Sequence, residues 1–315
     1  SHIVAWRVYN FAGSNFDWQG RHQRWVNETQ GQLRLQRQTW IGLGFEKGYE
    51  RVFEDEFGGT RAARRREVEN IVGRSSAAGL APCDAFGSLP PLVPDDPTTR
   101  DADETQSHPL CTFFGEDNER SANRTTVYSY VETAPSKKIT GFFFTAYHWG
   151  ALDFDFGTGN PRFPRISPAA LLLGQDAPRD PGAGNEWFFE GNIAYQPTDE
   201  LRLQIFYTKD RLVRQDTGLT AFDDNIYSLR GTYQFTRFWF ARARADYTTL
   251  GSNVRMQYLL GWAPNPGTSF YVGYNDDLNR NGVNPFGDQI EPGFRRNGRL
   301  FFIKASYLFR RSIGN

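Results

Sequence analysis

The sequence predicts an all-β fold: an antiparallel transmembrane β-barrel with about twelve strands in this chain, long extracellular loops and short periplasmic turns. Three observations lead there. Runs of about ten residues alternate apolar and polar side chains, the period of a strand with two unlike faces. Aromatic residues make up 16% of the 315, as 27 Phe, 14 Tyr and 8 Trp, and Trp and Tyr favour membrane–water interfaces. No stretch approaches the roughly 20 consecutive apolar residues of a spanning helix. A barrel strand needs only every second residue to be apolar, so a hydrophobic content of 39% fits it.

The second half shows the pattern best. Segment 187–196 places Trp187, Phe189, Ile193 and Tyr195 on one face and Glu190, Asn192 and Gln196 on the other, before a turn at Pro197-Thr198-Asp199. Segment 201–210 sets Leu201, Leu203, Ile205 and Tyr207 against Arg202, Gln204, Thr208 and Asp210, and 226–236 sets Tyr227, Leu229, Tyr233 and Phe235 against Ser228, Arg230, Thr232 and Gln234. Segment 237–249 decides which face meets lipid. Its Trp239, Ala241, Ala243, Ala245 and Tyr247 alternate with Phe240, Arg242, Arg244 and Asp246. An arginine at the bilayer midplane costs about 2–4 kcal/mol, so the alanine face turns outward and the arginines turn to the lumen. Segments 254–262, 269–275 and 299–309 continue the alternation, the last with Phe301, Ile303, Ala305, Tyr307 and Phe309 outward and Lys304 inward.

The first half is less regular, with candidate strands at 2–11, 25–36, 39–52, 125–134 and 138–156. Short connections fall near Arg37-Gln38, Pro135-Ser136, Pro197-Thr198, Thr236-Arg237 and Asn265-Pro266-Gly267, and long ones at 12–24, 53–124, 157–185, 211–225 and 276–297. Their alternation is the turn-and-loop asymmetry of bacterial outer-membrane barrels, which implies contact with outer-membrane lipid and puts both chain ends on the periplasmic side. A soluble sandwich also alternates, but it does not account for a second face too charged to pack as a core.

Charge is balanced, with 36 Lys+Arg against 36 Asp+Glu, which gives no electrostatic footprint for nucleic acid. The only two cysteines, Cys83 and Cys111, lie in the 53–124 insertion. An even count in the loop of an exported chain suggests one disulfide, and the other reading is two unrelated thiols. Within 157–185, Ser167-Pro168 ahead of Ala169 to Leu173 has the N-cap and first-turn proline of a short helix, a candidate plug for the barrel mouth.

The assigned inner faces carry Arg34, Arg202, Arg230, Arg242, Arg244, Arg255 and Lys304, against Glu190 and Asp246 among the acids. Excess arginine in a porin-like lumen favours anionic solutes. The competing reading is a set of ion-pair ladders that fill a narrow lumen. Asp277, Asn279 and Asn281, then Gly282 and Asp288, fit the spacing of a calcium loop. Position twelve is Asp rather than Glu, and Pro285 sits inside, so a plain polar loop is the other reading. No nucleophile elbow, P-loop or dinucleotide fingerprint occurs, and His148 beside Asp153 and Asp155 is the one arrangement with catalytic residue types.

Several short stretches resemble an uncharacterised bacterial family of outer-membrane barrels whose members usually carry an N-terminal family-nine carbohydrate-binding module. They are Tyr195-Gln196-Pro197, Tyr233-Gln234-Phe235-Thr236-Arg237, Pro266-Gly267-Thr268-Ser269, Gly273-Tyr274-Asn275-Asp276 and Lys304-Ala305-Ser306-Tyr307-Leu308-Phe309-Arg310, with Asn15-Phe16-Asp17-Trp18-Gln19-Gly20 as an earlier match. The resemblance implies an envelope barrel and supplies no catalytic residues. Members usually have further strands ahead of the point where Ser1 falls, which implies that the first strand pairs with polypeptide outside residues 1–315, upstream or in another chain; the other reading is a short variant that closes alone.

Overall fold

The computed structural model describes residues 3–53, 113–114, 119–160, 162–175, 177–280 and 293–308. Twelve strands form one antiparallel sheet in which each pairs with its neighbours in sequence. They are β1 (Ile3–Phe16), β2 (His22–Leu35), β3 (Thr39–Phe53), β4 (Glu119–Ser136), β5 (Ile139–Asp153), β6 (Gly182–Tyr195), β7 (Leu201–Arg214), β8 (Thr220–Gln234), β9 (Trp239–Thr248), β10 (Asn253–Asn265), β11 (Thr268–Arg280) and β12 (Phe294–Tyr307). One helix, α1 (Pro168–Leu173), lies between β5 and β6. No described helix is long and apolar enough to cross a membrane, which says nothing about a barrel. With a single sheet there is no second layer for a sandwich.

Most strands are longer than the alternation predicts, which shortens the connections. By contrast β5, expected over 138–156, ends at Asp153, and β9, expected over 237–249, spans only Trp239–Thr248. The segments expected as loops at 12–24 and 211–225 are mostly strand, leaving 17–21 and 215–219 as the joins. The alternation fades there because the pairing continues beyond the zone where one face must be apolar, through residues such as Gly13, Ser14 and Asn15. Side-chain chemistry then finishes each turn. Asp17 accepts the backbone N–H of Gln19 at 3.0 Å and of Arg21 at 2.7 Å, and Gly218 takes the positive φ of 68° that its turn requires. At the opposite rim, Arg37 and Gln38 both adopt positive φ, so the chain reverses between Leu35 and Thr39 as expected. That rim, with the short turns and the start of β1 and end of β12, is the turn rim, and the other is the loop rim.

Register carries one set of side chains across the whole sheet. Starting from Trp6 and Leu33, the outer row passes through Ile41, Val131 and Phe143. A parallel row joins Ile193, Ile205, Leu229, Ala245 and Met256. These groups are not buried by protein: Trp6 is 72% exposed, Leu43 62%, Ile205 55% and Phe301 62%. A contiguous apolar surface of this extent is not one that faces water. Two aromatic levels bound it. Nearer the loop rim, Phe189, Tyr207, Tyr227 and Tyr247 follow one another with ring centroids 5.0–6.2 Å apart. Nearer the turn rim, Trp239 and Trp262 lie 5.9 Å apart. From Trp187 to Tyr195 is about 26 Å along the strand at 3.3 Å per residue, matching an apolar band of about 25 Å between aromatic girdles. The small residues Gly231, Ala241 and Ala243 leave a groove of about 470 Å³ beside Tyr258, Leu260 and Phe301, open to acyl chains.

The inner face packs differently, by laying rings over glycines. Tyr130 covers Gly42, Tyr128 covers Gly44, Phe240 covers Gly261 and Phe302 covers Gly273, each so closely that a Cβ would overlap the ring. Tyr128 donates to Glu28, and the Gln32 amide donates to the Tyr130 hydroxyl, which fixes both rings across β2–β4.

The two faces should differ sharply in tolerance. Ala243→Arg, on the outer face between the aromatic levels, should destabilise the protein in lipid vesicles by about 2–4 kcal/mol. Asn275→Arg, one strand pair away on the inner face, should cost well under half of that. Equilibrium urea unfolding in vesicles measures both, and equal losses would refute the assignment of faces.

Candidate functional site

The inner face falls into three zones, stacked from the loop rim to the turn rim. At the loop rim the segment 154–181 folds against the inner side of β5–β8. Ala151, Leu212 and Ala221 are buried there with Phe156, Ile166 and Phe222 packed against them. The expected helix is present: Ser167 accepts the Ala170 N–H at 3.3 Å and Pro168 opens the first turn. Its Leu171 and Leu172 remain exposed.

Two buried arginines knot this segment to the wall. Arg165 pairs with Asp155 and donates to the carbonyls of Gln175 and Ala177, both at 2.6 Å, and of Pro178 at 2.8 Å. Arg214, with a wholly buried side chain, binds Asp153 at 2.7 Å, Asp216 at 2.6 Å and the Asp180 carbonyl at 3.0 Å. Every N–H so used replaces water, which a buried guanidinium requires. Burial alone would raise the Asp216 carboxyl, but hydrogen bonds and charge from Arg214 outweigh it and hold the group below the usual range. Asp180 goes the other way, pushed up by burial against the Ala169 N–H and the Arg214 and Arg120 charges. A depressed carboxyl contributes stability that is present above its unfolded pKa and lost as pH falls through the folded value. Asp216 therefore strengthens the knot at neutral pH, and that contribution is lost as pH falls through its lowered folded value.

The second zone, in the loop-rim half of the wall, is a lane of carboxylates with their partners. Arg124 reaches Glu46 at 3.8 Å, Glu50 at 3.9 Å and the Nδ1 of His148 at 3.0 Å. His148 also meets Thr126 at 2.7 Å and lies 3.9 Å from Glu186. Asp210 and Asp224 are direct cross-strand partners, and Asp224 accepts from Thr248 and the Leu250 N–H, both at 2.9 Å. Arg255 meets Asp277 at 3.4 Å, and in the middle of β9, where this lane borders the turn-rim half, Arg244 meets Asp246 at 2.6 Å.

The third zone, in the turn-rim half, is basic and largely unpaired. Among the described residues Arg34, Arg202, Arg230, Arg242 and Lys304 make no ion pair, and neither do Arg7, Glu132 or Glu190. Several guanidinium groups lie on rings instead: Arg7 and Arg34 over Trp40 at 4.9 and 5.4 Å, Arg230 over Phe206 at 4.5 Å and Arg242 over Phe240 at 4.9 Å. A cavity of about 460 Å³ opens here between Arg34, Trp40, Glu132, Phe142 and Asn192, and the buried Oδ1 of Asn192 has no hydrogen-bond partner.

All nine residues expected to face the lumen lie on the inner face by register. The two readings of their charges divide by height: ion-pair ladders in the loop-rim half, uncompensated arginine in the turn-rim half. Sequence reasoning missed Arg165 and Arg214, which lie in segments read as long loops, the first with a candidate helical plug, and the only signal was a set of aspartates at 153, 155, 180 and 216 in search of partners. His148 is not brought together with Asp153 and Asp155, because Arg214 and Arg165 take those carboxylates. Asp277 and Asn279 are residues of β11, paired with β10 and β12, while Asn281 and Asp288 lie outside the described residues, as do Cys83 and Cys111. No group of three or more His, Cys, Asp or Glu suited to a metal occurs among the described residues.

No family model and no curated protein matches the chain. Solved structures do. The copper transporter OprC is 12% identical with a TM-score of 0.46, over 95% of this chain and 45% of OprC. OmpT, an outer membrane protein of Vibrio cholerae, is 9% identical with a TM-score of 0.35, over 97% and 95%. The anion-selective porin from Comamonas acidovorans is 10% identical with a TM-score of 0.33, over 96% and 100%.

The arginine knot yields a direct test. Arg165→Ala leaves Asp155 buried without its partner, and breaking such a pair costs about 3–5 kcal/mol. Amide hydrogen exchange should accelerate across 155–181 while the strands β6–β9 keep their protection. Unchanged exchange in the segment would show that the knot does not hold it.

Proposed function

We propose that this chain forms the wall of a porin-like passage for small polar solutes across a bacterial outer membrane, with its mouth narrowed by the 154–181 segment. The observation that carries this reading is the pairing of an apolar, aromatic-girdled outer face with an inner face of uncompensated charge. Lipid demands the first. The second is costly unless water or a solute occupies the space it lines. Reconstituted in planar bilayers, the full-length protein should give discrete conductance steps, and Asp155→Ala, which loosens the mouth, should raise the step size. A folded protein that never conducts would overturn the reading.

A second reading, a docking barrel whose loops hold a partner or glycan, draws on the exposed Leu171 and Leu172 at the mouth and on the resemblance to barrels that carry a glycan-binding module. Electrical silence together with retained folding would favour it.

The wall also bears on closure. Among the described residues β1 is paired only with β2 and β12 only with β11, and lipid offers no partner for an open strand edge. We propose that additional strands, outside residues 1–315, complete the ladder. Cysteines at Val8 and Ile303 in the full-length protein should then fail to cross-link under oxidation. Efficient intramolecular cross-linking would instead show β1 closing directly on β12.

A further inference from the structure

We propose that the turn-rim half of the inner wall on β7–β9 is a binding site for an oxyanion, a phosphate or carboxylate group carried by a small solute. This rests on the passage reading and names what the passage selects. In register, Arg202 and Arg242 flank Thr232 in one row. In the adjacent row Arg230 and Arg244 are direct partners, between Gln204 and Gln257. Neighbouring strands lie about 4.8 Å apart and same-face residues about 7 Å along the strand, so four arginines are anchored within one small area of wall.

Like charges placed directly opposite one another weaken a sheet. Here the one adjacent carboxylate, Asp246, is engaged by Arg244 at 2.6 Å, and Arg202, Arg230 and Arg242 have no ion-pair partner among the described residues. The Nε of Arg230 is shut off from solvent with no acceptor. Packing does not account for this grouping, since apolar side chains would fill the same space without repulsion.

What the surroundings do provide is orientation. Phe206 and Phe240 support the planes of Arg230 and Arg242, and stacking leaves the N–H edges of a guanidinium free. Those edges match the paired oxygens of a carboxylate or phosphate, which accept two parallel hydrogen bonds from one fork. Thr232, Gln204 and Gln257 offer neutral donors at the margins for remaining oxygens. A spherical halide gains the charge but not the fork, so the site favours oxyanions over chloride.

Chloride current through the full-length protein, titrated with inorganic phosphate, tests this. The wild type should prefer anions and be blocked by millimolar phosphate, and R230Q/R244Q should need about tenfold more phosphate, the scale set by losing charge-assisted bidentate bonds. The single variant R242Q, which changes one exposed residue, should shift the block in the same direction. Heat-modifiable migration in gels verifies that each variant folds. Block by phosphate that is the same in all three proteins, or a wild type that prefers cations, would overturn the site. If the protein does not conduct, ³¹P line broadening of inorganic phosphate by the detergent-solubilised protein decides the matter alone. Broadening lost in R230Q/R244Q supports the site though the passage reading has failed, and broadening that is absent or equal in both refutes it.

Discussion

A strand that crosses lipid must satisfy every backbone N–H and C=O with its neighbours while its two faces meet different solvents. Everything else in this structure follows from that double demand. Because the side-chain period is two, a one-residue slip at any of the eleven ladders would exchange the faces. The ladder from Trp6↔Leu33 through to Tyr274↔Phe301 never makes that exchange. The register shifts lie near the rims: those at Ile3/Ala5, Thr133/Ser136 and Trp262/Asn265 are near the turn rim, and the one between Trp149 and Ala151 is near the loop rim, at the positive-φ Gly150. The bulge turns Ala151 inward to pack with Leu212. Irregularity is thus tolerated where strands leave the apolar band.

The same demand explains what was legible in the sequence. Segments such as Trp239–Tyr247 could be read because Ala241, Ala243 and Ala245 alternate with Arg242, Arg244 and Asp246. The outer face, the short turns and the charged set that shares the opposite face were all visible in this way. Strand ends were not. Gly13, Ser14 and Asn15 carry no hydrophobic signal, yet their backbone is laddered, because hydrogen bonding extends the sheet where solvent no longer imposes a pattern. Helix α1 was readable from its cap alone, since a serine accepting an N–H three residues on is a local interaction. The Arg165 and Arg214 knots join residues up to 61 positions apart, and nothing local marks such a contact.

Inner-face charge was legible in kind but not in arrangement. The residues of the loop-rim lane and of the turn-rim field are the same types at the same period. What separates them is which strand's acid lies across from which strand's base. In the lane, Arg124 sits among Glu46, Glu50 and His148. Further along the sheet, Arg230 on β8 has Arg244 on β9 opposite it. Composition cannot distinguish these, since the balance of 36 against 36 charges holds over the whole chain.

The lengthwise separation has a consequence for any solute that enters. Near the loop rim, the arginines are committed to carboxylates and the mouth is tied by buried pairs, so that zone contributes shape and rigidity more than net field. Nearer the turn rim the guanidinium groups keep their N–H edges free, held over aromatic rings rather than over acids. Stacking is the way to fix a guanidinium without neutralising it, because a ring face attracts the cation but accepts none of its in-plane hydrogen bonds. A wall built only to be stable would have paired these arginines, as it did Arg124, or replaced them. That this wall rigidifies them and leaves them uncompensated is the observation on which the proposed passage rests.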